Sequence, residues 1–249
     1  MIRRLLERLL RPFTFILVIL FAPMICACSV EMLLFLASDI DFGSLDWFLV
    51  GFVSFALVYG AILYTGGAFQ SHLHFIRLLR HELTHSLTTM ISGGRVREML
   101  VVNPIEKPGT NSYVDALGLG GLISPFVYLS PYYLPLFTLP FLLLRYLVSP
   151  PIQQAIEFLI GFTLAFHYTS LIDELLKQRF GLGQTDIRRT GIMLSYVVIG
   201  VLNLLSLVVI KSVLQEKWPT VDNLTQFISR TQEYYKLIID QVIRLIPGI

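Results

Sequence analysis

Charge is what this sequence has least of. Only 14% of its 249 residues are Asp, Glu, Lys or Arg, against 55% apolar, and the mean hydropathy is +0.70. A water-soluble domain carries about 25% charged residues. So sparse a polar surface excludes an ordinary soluble enzyme and makes lipid part of the solvent. A net charge of +2 gives no footing for a nucleic-acid partner. Cysteine is nearly absent as well: Cys26 and Cys28 lie two residues apart in an apolar run. On a helix they point in different directions, which makes them packed or lipid-facing thiols rather than a zinc or redox pair. The chain holds no internal repeat and no low-complexity tract, and nothing in it sets an oligomeric state.

What is present in abundance is long apolar runs. Phe13 to Leu36 holds one charge, Glu31, and exceeds the roughly 20 residues a bilayer crossing needs. A cleaved signal peptide would be shorter and end at a small-residue site, so this run reads as a retained first span. Arg3, Arg4, Arg8 and Arg11 precede it and put the N-terminus in the cytoplasm. Asp39, Asp41 and Asp46 follow without Lys or Arg, as in an outside loop. A second span runs from Trp47 to Phe69, a third from Leu117 to Leu147 across Pro125, Pro131, Pro135 and Pro140, a fourth from Ile152 to Leu176, and a fifth from Thr190 to Ile210. The loop before the fifth carries Lys177, Arg179, Arg188 and Arg189, which places it on the cytoplasmic face.

Between the second and third spans, Leu73, Ile76, Leu79, Leu83 and Leu87 recur at helical spacing from Ser71 to Ser92, and Gly93-Gly94 ends the pattern. A short β-like stretch follows (Val96, Met99, Val101, Val102), then a loop with Pro104, Pro108 and Gly109. After Pro219, Phe227, Tyr234, Ile238, Val242 and Leu245 form an apolar stripe among Arg230, Glu233, Lys236, Asp240 and Arg244. This predicts an amphipathic helix lying on the bilayer, on the bundle or on a partner. The expected fold is an all-α polytopic membrane protein with about five transmembrane helices, a zinc-motif helix, a short β-like segment and a C-terminal amphipathic helix. Residues 1–218 form the membrane-embedded part and 219–249 the amphipathic helix.

The chemistry gathers in His81-Glu82-Leu83-Thr84-His85. Residues four apart share a helix face, so His81 and His85 can grip one ion. Glu82 stands beside them, placed to reach a metal-bound water. Zinc (Zn2+) lowers the pKa of such a water from about 15.7 to about 7, and Glu82 can take its proton as general base and pass it on. A third protein ligand is then required, leaving a fourth position open. The pattern arises by chance in about 1% of chains this long. Ionisable groups at membrane depth are costly, which points further to function. Of the other histidines, His72 and His74 read as interfacial and His167 as a packed, hydrogen-bonded side chain.

The pentad followed by Gly93-Gly94-Arg95-Val96 resembles the zinc helix and following turn of the site-2 protease family of intramembrane zinc metalloproteases. The match is closest to that family's divergent small branch. There a span ends in an aspartate, followed by a short basic stretch and a Ser/Thr-Asp pair; here stand Leu171-Ile172-Asp173-Glu174, then Lys177-Gln178-Arg179, then Gln184-Thr185-Asp186. The resemblance covers roughly His81 to Met193. It implies hydrolysis of peptide bonds in membrane-protein substrates at the bilayer, and a third metal ligand from a distant aspartate. Asp186, just before the fifth span, fits that place best, and Asp173 is its rival. The chain departs from better-known members in lacking their Asn-Pro…Leu-Asp-Gly signature and the asparagine of the helix after the zinc helix. It also shows two spans, where they have one, between pentad and aspartate. A membrane zinc protease with a glutamate as third ligand is an alternative, with Glu157 and Glu174 available. A non-proteolytic scaffold or transporter with a structural or relic zinc site is another. The Gly93–Val102 stretch offers a strand edge that can hold an unwound substrate peptide beside the metal.

Overall fold

The computed structural model describes residues 29–30, 32–37, 42–102, 112–117, 124–179, 186–216 and 221–245. Most of the expected first span, with both cysteines, and the loop holding Pro104, Pro108 and Gly109 lie outside these residues. The elements are α1 (Phe42–Thr65), α2 (Ala68–Ile91), β1 (Arg95–Leu100), β2 (Tyr113–Leu117), α3 (Ser124–Tyr133), α4 (Leu139–Arg145), α5 (Pro150–Arg179), α6 (Asp186–Thr190), α7 (Ile192–Gln215) and α8 (Val221–Leu245). The chain divides into two compact units, of which Asp41–Ser195 is one and the remaining residues the other.

Among the described residues three helices are long and apolar enough to cross a membrane: Leu45–Thr65, Pro150–Leu176 and Ile192–Gln215. The protein is therefore built for a membrane, and the described residues hold fewer spanning helices than the five expected of the whole chain. The third expected span is the one the structure corrects. In its described residues Leu117–Leu147 is not a continuous helix: it holds β2's last residue, α3 and α4, with the chain turning between Tyr133 and Leu139. Proline is the reason. Pro135 disfavours helical backbone at the residue before it and has no N–H to donate, and α3 stops at Tyr133. A turn closed by Thr138 N–H on the Pro135 carbonyl (2.8 Å) carries the chain on. Pro140 then sits in the first turn of α4, where a missing N–H costs nothing.

This broken segment nevertheless runs antiparallel along α5. Thr163 Oγ1 donates to Thr138 Oγ1 at 3.1 Å, and further along Arg145 Nε meets Glu157 Oε1 at 3.0 Å. The helices α1 and α5 lie closer still. A Cβ on Gly51 would stand 2.0 Å from the Phe158 carbonyl oxygen, and one on Gly161 2.0 Å from that of Phe48. Each backbone thus occupies the space a side chain would need on the other. One turn on, Phe55 meets Phe162 and Phe166 edge-on at 5.0 and 5.7 Å between ring centres. Leu73 of α2 joins this cluster.

Gly66 and Gly67 both take positive φ (64° and 73°), which only glycine adopts without steric cost. They end α1 and start α2 earlier than the apolar pattern indicates. At the other end, Gly93 at φ 78° closes α2, with Gly94 N–H on the Thr89 carbonyl at 2.9 Å. The expected β-like stretch is a real strand. β1 pairs antiparallel with β2, from Arg95 opposite Leu117 to Leu100 opposite Tyr113, with an irregularity between Val96 and Glu98.

The burial of α2 runs opposite to a soluble helix. Its buried residues are Leu73, Arg77, Arg80, His81, Glu82, Thr84, Ser86 and Thr89, while Ile76, Leu83, Met90 and Ile91 point outward. Of the leucine and isoleucine stripe that marks the helix in sequence, only Leu73 is buried. The hydroxyls on the inner face return to the helix's own backbone: Thr84 Oγ1 to the Arg80 carbonyl at 2.6 Å and Ser86 Oγ to that of Glu82 at 3.0 Å.

Candidate metal centre

His81 and His85 stand one turn apart on the inner face of α2, and their Nε2 atoms converge to 3.1 Å. Asp186, the first residue of α6, brings Oδ2 to 3.5 Å from the first nitrogen and 3.6 Å from the second. A triangle with these sides has one central point about 2.0 Å from all three corners, which is the length of Zn–N and Zn–O bonds. These three residues form the group able to hold a metal ion among the described residues.

The far side of each ring explains why the Nε2 atoms face one another. His85 Nδ1 lies 3.0 Å from the Val127 carbonyl oxygen, and a carbonyl can only accept. His81 Nδ1 lies 3.5 Å from Glu174 Oε2. His85 therefore carries its proton on Nδ1 and turns Nε2 inward, and with an ion at the centre His81 would do the same towards Glu174, the usual arrangement for metal-ligating histidines. A positive charge at that point, proton or metal ion, is what the two imidazoles and the Asp186 carboxylate share. The electrostatics have the same sense. Burial works against a charged His81, yet the Glu174 and Asp186 carboxylates outweigh it and push the ring up to about 9. Burial also opposes charge on Asp186, but its hydrogen bonds with His81 and His85 hold the carboxyl well below the usual range.

Asp186 is positioned by the α6–α7 junction. Ile187 is fully buried beside it, Thr190 Oγ1 donates to the Asp186 carbonyl at 2.9 Å, and Gly191 breaks the helix at φ 95°. Ser195 Oγ returns to the Gly191 carbonyl at 2.8 Å. The Arg189 guanidinium over the Tyr128 ring, at 5.8 Å, ties this corner to α3.

Glu82 is 3% exposed and lies outside the three-residue group. Burial pushes its carboxyl up, and the neighbouring His81 and His85 offset only part of that rise. A buried, proton-accepting carboxyl beside a cation site is suited to moving a proton.

The remaining sequence candidates fall elsewhere. Asp173 pairs with Arg77 Nη1 at 3.2 Å and is not in the metal group. Glu157 pairs with Arg145, about 25 Å along α5 from Glu174 at 1.5 Å per residue. Glu174 is close, but on the Nδ1 side of His81 and not the Nε2 side. His167 is buried with Nδ1 2.9 Å from Arg80 Nη1; since a guanidinium only donates, His167 accepts there, packed and hydrogen-bonded as expected. His72 is exposed and His74 half-buried. Sequence reasoning passed over Arg80 and the Val127 carbonyl, and weighed Glu174 only as a ligand. One signal was available: Glu174 follows His167 by seven residues, two helical turns, which puts two ionisable groups on one face of an apolar span. Comparison with family models, with curated proteins and with solved structures gave no match.

Proposed function

We propose that the chain is a membrane-embedded zinc metalloprotease that hydrolyses peptide bonds of membrane-associated substrates. One observation carries the proposal: the inward Nε2, Nε2 and Oδ2 triangle with the buried Glu82 carboxyl next to it. Two imidazoles and a carboxylate are a ligand set that suits zinc, and as three protein ligands they would leave a fourth position open, as catalytic sites do. The resemblance of the pentad and the later aspartates to site-2 proteases supports the same assignment. So does α5, among the described residues the one helix between pentad and Asp186 that is long and apolar enough to cross a membrane, where the sequence pattern indicates two spans.

His81, His85 and Asp186 would hold the ion, and bound zinc supplies Lewis acidity towards water and a peptide carbonyl. Glu82 accepts the proton of the attacking water and delivers it to the leaving amine. The inward polar face of α2 provides the wet surface that water needs at membrane depth. The β1–β2 hairpin, joined to α2 through Ser86 Oγ on Met99 Sδ (3.3 Å), offers an edge to an extended substrate. In this arrangement the N-terminus is cytoplasmic and the site opens to that side.

The test pairs metal analysis with cleavage. Purified wild type should carry about one zinc per chain and His85→Ala should lose it, since zinc needs its full ligand set. Glu82→Gln should keep the zinc and lose cleavage of a membrane-anchored reporter. Cleavage that survives Glu82→Gln would leave a scaffold or transporter with a structural ion as the better account.

A further inference from the structure

The metal triangle leaves unused a buried polar cluster directly behind it. Arg80 is 1% exposed, and its guanidinium is held on three sides. Nη1 donates to the Pro131 carbonyl at 2.9 Å and lies 2.9 Å from His167 Nδ1. Nη2 reaches Glu174 Oε1 at 3.4 Å. The other oxygen of that carboxylate, Oε2, faces His81 Nδ1 at 3.5 Å. One carboxylate thus stands between the guanidinium and the imidazole, its Oε2 buried, aimed at His81 Nδ1 and completing no hydrogen bond at that distance, while partners on α3 and α5 fix the arginine.

We infer that Arg80 and Glu174 are positioning residues for the metal site: Arg80 locks the Glu174 carboxylate so that it accepts the His81 Nδ1 proton, which forces the His81 Nε2 lone pair towards Asp186 and His85. The inference rests on the metal assignment above but not on proteolysis. Neither residue touches the centre of the triangle. Both act through His81.

A carboxylate suits this place because both its oxygens accept. Glutamine has the same shape but offers one acceptor and one donor. If its oxygen faces Arg80, its NH2 group faces His81 and favours the tautomer with the proton on Nε2, the atom the metal needs. If its oxygen faces His81, its NH2 group meets the guanidinium donors. Either orientation loses one of the two contacts. Lysine at position 80 keeps the charge, but a single ammonium cannot occupy the places of Nη1 and Nη2 together.

The experiment measures zinc affinity, by competition with a chromophoric chelator, on the full chain in lipid nanodiscs, together with the visible spectrum of the Co2+-loaded protein. Glu174→Ala and Glu174→Gln should each weaken zinc by about ten- to a hundredfold, the usual effect of removing an outer partner, and both should alter the Co2+ bands. Glu174→Asp, which keeps two acceptors, should recover part of the loss. Arg80→Lys should weaken zinc as well. Arg80→Lys/Glu174→Ala should be no weaker than Glu174→Ala alone, because the arginine works through the carboxylate. Asp173→Asn, which removes the neighbouring ion pair with Arg77, should leave affinity and spectrum unchanged and so controls for loosened packing.

Wild-type affinity in Glu174→Gln overturns the inference, as does full additivity in the double variant. Should the Arg80 variants fail to fold, the Gln, Ala and Asp series at Glu174 still decides. A wild type that binds zinc but cleaves nothing refutes the protease proposal and leaves this inference standing. A wild type that binds no zinc refutes both.

Discussion

Asp173 and Asp186 carry the same carboxylate on the same compact unit and differ in what stands opposite. Arg77 neutralises Asp173 at 3.2 Å, whereas Asp186 faces two imidazole nitrogens. Asp186→Ala should therefore abolish stoichiometric zinc binding, and Asp173→Ala should retain it, as read by metal analysis of the purified proteins. Zinc retained in Asp186→Ala would refute the ligand set. The histidines and Glu82 were legible in sequence from spacing alone, because a helix places residues four apart together whatever surrounds it. The choice between the two aspartates was legible only through the family resemblance, which put Asp186 ahead of Asp173; spacing alone does not separate them. Both lie at the ends of apolar helices, and only the side chain across from each decides its use. Glu174 was harder still: it follows Asp173 by one residue, which on a helix turns it by about 100°, from Arg77 towards Arg80 and His81.

At the scale of elements, glycine and proline settled what apolar runs alone could not. The Gly51 and Gly161 contact brings α1 and α5 to backbone distance. Gly161→Ala should push them apart and destabilise the fold by roughly 1–3 kcal/mol, the cost of overpacking, seen as a lower midpoint in thermal unfolding. Gly60→Ala, whose Cβ meets nothing within 4 Å, should not. The hairpin invites a different test. Val101→Pro, one residue beyond β1, should lower cleavage of a membrane-anchored reporter with zinc content unchanged; unchanged cleavage would count against the hairpin as substrate edge. The strand itself was legible from the β-like run of Val96, Met99, Val101 and Val102, of which β1 holds the first two, and from the Gly93-Gly94 stop. The division of Leu117–Leu147 into α3 and α4 was foreshadowed by four prolines, but hydropathy cannot distinguish an apolar helix that crosses from apolar pieces packed along a neighbour.

For the whole molecule, the candidate metal centre joins α2, α3, α5 and α6, which are far apart in sequence and converge on His81 and His85. A ligand that binds only the folded state stabilises it by about 2.7 kcal/mol at a hundred times its dissociation constant. Chelation should thus lower the unfolding temperature of the wild type and leave that of His85→Ala unmoved, in scans with and without excess chelator. The low charge content was enough to require a membrane, since surface composition must match the solvent. It was not enough to count the helices that span it.

Sequence by itself determined the solvent, the helix that carries the pentad and the pair of imidazoles, because composition and helical periodicity are local properties of the chain. Only the tertiary structure decided that α2 turns its charged face inward, that Asp186 is the carboxylate brought to the imidazoles, and that Arg80 and Glu174 stand behind them. Those outcomes depend on which helices pack together, and packing is settled by backbone contacts and long-range polar pairs that no single stretch of sequence contains.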